Sequence, residues 1–100
     1  MLKNLFDASE AQEFGKTLAE MYAAKHSILD EKKEKASTLH KRAKLLDKLT
    51  LDVRQFGEAN RLNFYKKAKL GNAFKWTLLE KGYDSDFVDK LTKEVMMALK

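Results

Sequence analysis

Residues 39–78, LHKRAKLLDKLTLDVRQFGEANRLNFYKKAKLGNAFKWTL, decide how this chain folds. At about 100° per residue, one side of the stretch collects Leu39, Ala43, Leu46, Leu49, Val53, Phe56, Gly57, Phe64, Ala68, Gly71, Phe74 and Leu78. That is a helical stripe, and no run of period two competes with it. The opposite side carries Lys44, Lys48, Asp52, Gln55, Asn63 and Lys66, as a solvated helix face does. A thinner apolar line, Leu45, Leu51, Leu62, Tyr65 and Trp76, lies off the main stripe. One partner helix covers one line, so the spacing predicts two neighbours: two helices of the same chain, or one helix and a second copy.

Outward toward the N-terminus, Asp7/Glu10 and Ser9/Gln12 both have capping-box spacing, which predicts a first helix starting there, with Phe6 at the staple position if Asp7 is the cap. Phe14, Leu18, Met21, Ile28 and Leu29 form its stripe, Tyr22 lies at the edge, and Gly15 suits a close helix crossing. The polar segment 30–38 reads either as the turn of a helical hairpin, with Ser37 or Thr38 capping the next helix, or as a solvated helix carrying the i,i+4 pair Glu31–Lys35. Toward the C-terminus, Gly71-Asn72 has the composition of a helix break, yet the stripe runs through it in phase. Gly82-Tyr83 is the clearest stop: glycine at the left-handed position, with an aromatic placed to reach back to Leu78. A last helix follows from Asp84 or Ser85, with Phe87, Val88, Leu91, Val95, Ala98 and Leu99 on its buried face.

The 100 residues contain no proline, four glycines and no cysteine. One all-α domain, a bundle of three to four helices around a long central helix, coiled-coil-like and dimeric, is the expected architecture. Without cysteine there is no disulfide framework and no thiolate metal site. No apolar run reaches the roughly 18 residues of a membrane span, and Met1–Phe6 lacks a signal-peptide core, so a cytoplasmic protein is expected. The net charge of +5 is uneven: residues 1–30 hold three basic against five acidic side chains, and residues 61–81 hold six against one.

Catalytic chemistry finds no foothold. His26 and His40 have no second ligand at metal spacing and read as surface or boundary histidines, His26 within reach of Asp30. The carboxylates fall at helix caps and on charged faces, the serines lie in no nucleophile elbow, and there is no glycine-rich phosphate loop. Expected, therefore, are no enzymatic activity and no cofactor or metal. A helix-turn-helix docking of the last two helices is disfavoured, because Asp84, Asp86 and Asp89 would face the phosphates.

The segment 61–76 is the sharper candidate. On a continuous helix Arg61, Tyr65, Lys69, Asn72 and Trp76 share one sector, with Lys66 at its edge. Basic residues interleaved with aromatics suit a packed protein interface with snorkelling lysines, or phosphate neutralisation and base stacking; a membrane surface is the least favoured. The leading expectation is a small cytoplasmic interaction or regulatory module, homodimeric through Leu51, Leu62 and Tyr65. The alternative is a nucleic-acid-associated protein using the basic central helix.

Overall fold

The structure, a computed structural model, describes residues 8–27 and 36–99. Four helices fill them: α1 Ser9–Lys25, α2 Ala36–Asn60, α3 Phe64–Glu80 and α4 Ser85–Met97, with no strand among the described residues. The all-α bundle expected from the periodicity is what forms. Pairwise contacts fix its directions. Phe14 stacks on Phe56 while Lys25 lies level with Lys41 and Lys48, so α1 and α2 run antiparallel. Gly71 meets Met96 and Lys75 meets Asp89, so α3 and α4 are antiparallel too. Gly15 faces Leu70 and the Tyr83 hydroxyl donates to the His26 carbonyl oxygen, which makes α1 and α3 parallel. The result is an up-down-up-down bundle.

Its tightest seam is α1 on α3 rather than a pair of consecutive helices. Ala11, Gly15 and Ala19, spaced i, i+4, i+8, give α1 a buried edge with almost no side-chain bulk. A Cβ at Gly15 would run into the Leu70 carbonyl oxygen and stand 3.2 Å from the Ala73 Cβ. Backbone approaches backbone there, which is the close crossing that Gly15 implied. Around the seam Leu18, Tyr22, Leu49, Val53, Leu70, Phe74, Leu78, Val88 and Val95 are buried and close the core.

The central helix is not continuous. It stops at Asn60, and the break falls at Arg61-Leu62-Asn63 rather than at Gly71, which sits buried inside α3 against the Met96 thioether. Arg61 adopts φ 47°, and its amide donates to the Gly57 carbonyl oxygen at 3.0 Å. That is the αL stop usually made by glycine. Asn63, expected on a solvated face, is instead the cap of α3: its side chain accepts from the Lys66 amide at 2.8 Å. Phe64, first in the new helix, is exposed although the continuous stripe placed it in the core; within α2 the buried line is Leu45, Leu49 and Val53, so Leu45 of the thinner line turns inward while Leu39 and Ala43 of the stripe are exposed.

Other boundaries also differ. Ala8, not Ser9, occupies the cap position of α1, without a side-chain hydrogen bond. α1 ends at Lys25 and α2 already includes Ala36, so Ser37 and Thr38 lie within α2 and do not cap it. The roles expected of Phe6, Asp7, Ile28, Leu29, Asp30 and the Glu31–Lys35 pair lie outside the described residues. His26 is not a surface histidine: it is fully buried, with its ring edge-on to Tyr22 at 5.6 Å.

The turn from α3 to α4 forms as the sequence predicts. Gly82 takes φ 96°, its amide donates to the Leu79 carbonyl oxygen, and the Tyr83 amide donates to that of Leu78. These are the two bonds of a Schellman stop, and the Tyr83 ring is buried. Asp84 then caps α4 by accepting from the Phe87 amide at 3.1 Å. Gly82→Val should cost roughly 1–2 kcal/mol, since a β-branched side chain is forced into the left-handed region. A urea midpoint unchanged from the parent protein would contradict that geometry.

Candidate interaction surface

α3 carries two unlike faces because its apolar positions obey two registers. Leu70, Phe74 and Leu78, spaced by four, turn inward and are fully buried. Tyr65, Lys69, Asn72 and Trp76 follow at i, i+4, i+7 and i+11, and share the outward side. Trp76 is 59% exposed, Tyr65 42%, and Asn72 is exposed between them. The Lys69 ammonium lies 5.4 Å from the centre of the Tyr65 ring, a cation–π arrangement that holds both side chains against the helix. Four of the six residues expected on this face are therefore brought together.

The other two diverge. Arg61 is off the helix, in the α2–α3 turn, and lines a separate cavity with Arg54 and Lys67 at that end of the bundle. Lys66 is half-buried in the first turn, where its amide serves the Asn63 cap. The expected dimer line is also split. Leu51 is half-exposed on α2 and Tyr65 exposed on α3, but Leu62 lies in the turn, partly buried against the core. Leu62 is held by its own chain, so it does not extend a surface with Leu51.

Periodicity missed the most exposed large apolar side chain among the described residues. Phe64 is 88% exposed at the first position of α3. The continuous stripe had placed it inside; the signal that corrects it is the Asn60-Arg-Leu-Asn63 run, because asparagine favours both left-handed turns and helix caps. Part of the positive charge of α3 is balanced within the fold. Lys75 pairs with Asp89 of α4 at 3.2 Å, so one compensating acid comes from the last helix.

Among the described residues no group of three His, Cys, Asp or Glu side chains is arranged to hold a metal ion, and no helix is long and apolar enough to cross a membrane. The outward side of α3 thus offers aromatic area, one amide and lysine stems, which suit non-covalent contact. Comparison with family models, with curated proteins and with solved structures finds no match to this chain.

Proposed function

We propose that the protein is a non-enzymatic cytoplasmic interaction module that works through its helix faces, that the outward side of α3 is its contact surface, and that a second copy of the chain is its first partner. The observation that carries this reading is the exposure of Tyr65 and Trp76 on the same side of one seventeen-residue helix. Water-exposed aromatic area is unfavourable at roughly 25 cal/mol per Å2, and apolar patches on soluble proteins mark places where something docks. Tyrosine and tryptophan are also the side chains that dominate interface energetics.

A nucleic acid is the second reading, favoured by Trp76, which is open to base stacking beside lysines. Against it, Lys75 is paired with Asp89 and Lys69 sits on the Tyr65 ring, which leaves fewer cations for phosphates. Sedimentation decides between them. Tyr65→Ser with Trp76→Ser should weaken dimerisation by about 2 kcal/mol or more while helicity stays unchanged. A protein that is monomeric at high concentration, yet binds single strands with a log–log salt slope near −0.7 per phosphate, would reverse the ranking. Leu62→Glu is unsuitable for this purpose, since Leu62 packs against the core.

A further inference from the structure

One face of α2 changes character along its length. Lys41, Lys44, Lys48, Asp52, Phe56 and Ala59 follow each other at intervals of three or four residues, so they form a single stripe that is cationic at one end and apolar at the other. That stripe borders α1, and two cavities open along the seam. The larger, of about 430 Å3, is walled by Phe14, Leu18 and Met21 of α1 and by Phe56 and Ala59 of α2. The smaller, of about 230 Å3, is framed by Lys25 of α1 and by Lys41, Lys44 and Lys48 of α2, over Leu45. They adjoin at an ion pair: Asp52 lines the first, Lys48 lines the second, and the two are 3.3 Å apart.

We propose that this groove binds a single-chain amphiphile with an anionic head, the chain lying against Phe14, Met21 and Phe56 and the head among Lys25, Lys41 and Lys44. Three features fit that chemistry. The larger cavity falls within the roughly 300–1,000 Å3 of small-molecule sites, and its walls are mostly hydrocarbon and aromatic. Lys25, Lys41, Lys44 and Lys48 frame the smaller cavity, and because Asp52 pairs only with Lys48 the excess of positive charge at that end favours an anion. Asp52 offsets Lys48 and repels a second anion at the apolar end, so the ligand has one favoured orientation. The distance from Phe14 to Met21 along α1 is about 10 Å, and from Lys44 to Ala59 along α2 about 22 Å, which suits a chain of medium length. The groove uses α1 and α2, so it stands or falls independently of the α3 surface.

Calorimetric titration of the whole chain with dodecanoate, below its micelle concentration, tests the proposal. Saturable binding is expected, weakening as salt is raised, with uncharged 1-dodecanol binding about tenfold more weakly or worse and acetate not detectably. Lys41→Gln with Lys44→Gln alters only exposed side chains and should lower dodecanoate affinity by about tenfold or more with an unchanged circular-dichroism spectrum. Ala59→Trp, also at an exposed position, should block the chain end and weaken dodecanoate similarly. Equal affinity for dodecanol and dodecanoate, or no saturable binding of either, would overturn the proposal. So would binding to phosphatidylglycerol vesicles that free dodecanoate does not compete away, because the site would then be a membrane contact.

Discussion

Gly15→Leu is expected to cost about 3 kcal/mol or more, enough to unfold a domain of ordinary marginal stability in mild denaturant. In an exposed helix the replacement of glycine would be favourable by up to about 1 kcal/mol, because glycine has the poorer helix propensity. Here the sign reverses. The first added atom already collides with the Leu70 carbonyl oxygen, which belongs to the backbone of α3 and cannot rotate away. Relief requires the two helices to separate, and separation loosens the packing of Leu18, Tyr22, Leu70 and Phe74 together. Gly71→Ala is the matched control: its Cβ would stand 2.5 Å from the Met96 sulfur, at the flexible end of an adaptable side chain. It should cost no more than about 1 kcal/mol. Equal urea midpoints for Gly15→Leu and the parent protein would mean that α1 and α3 do not cross at this point.

Tyr22→Ala should remove about 3–5 kcal/mol, the usual range for truncating a large buried ring. Tyr22 is fully buried, and its ring lies 5.6 Å from that of His26, 6.1 Å from Tyr83 and 6.2 Å from Phe87. This aromatic cluster joins the end of α1 to the α3–α4 turn and the start of α4, so its loss affects three elements at once. Tyr83→Phe separates packing from hydrogen bonding. It keeps the ring and deletes the hydroxyl that donates to the buried His26 carbonyl oxygen, for an expected loss of about 1 kcal/mol. Thermal unfolding of both variants checks the order; a Tyr22→Ala protein no less stable than Tyr83→Phe would show that the cluster does not hold that end together.

Much of this architecture is readable from spacing alone, because helical stripes and glycine stops are local. Leu49, Val53, Phe74 and Leu78 on one face, the αL glycine at 82, the Asp84 cap and the tight approach at Gly15 all follow from residues close in sequence. The phase of a stripe misleads where it persists by coincidence. Between Asn60 and Phe64 the chain leaves the helix without glycine or proline, and Arg61 takes the left-handed conformation at a cost of roughly 1–2 kcal/mol. Nothing in apolar periodicity records that. Only the pair of asparagines hints at it, and in an unbroken pattern they read equally well as solvated positions. Tyr22 and His26 were misplaced for a different reason: both are amphipathic, and their burial depends on Tyr83, some sixty residues away, meeting the end of α1.

The candidate surface was legible in composition and less so in geometry. Tyr65, Lys69, Asn72 and Trp76 share a face because all four lie within one helix, and spacing within a helix is reliable. Arg61 and Leu62 dropped out because they precede that helix. The α1–α2 groove could not be read at all, since it depends on which face of α2 meets α1 and on how far apart their backbones stand.

Trp76 offers the most direct test of the proposal that the outward side of α3 is where the protein makes contact. It is the single tryptophan of the chain and is more than half exposed in the isolated protomer, so its fluorescence reports on this surface alone. Iodide quenching should be efficient in dilute protein, then fall as the protein is concentrated and second copies cover the indole, with a blue shift of the emission. The same series on Tyr65→Ser should show the transition displaced to higher concentration. Quenching and emission that stay constant from dilute to concentrated protein, with sedimentation at the monomer mass throughout, would contradict the self-association on which the account rests.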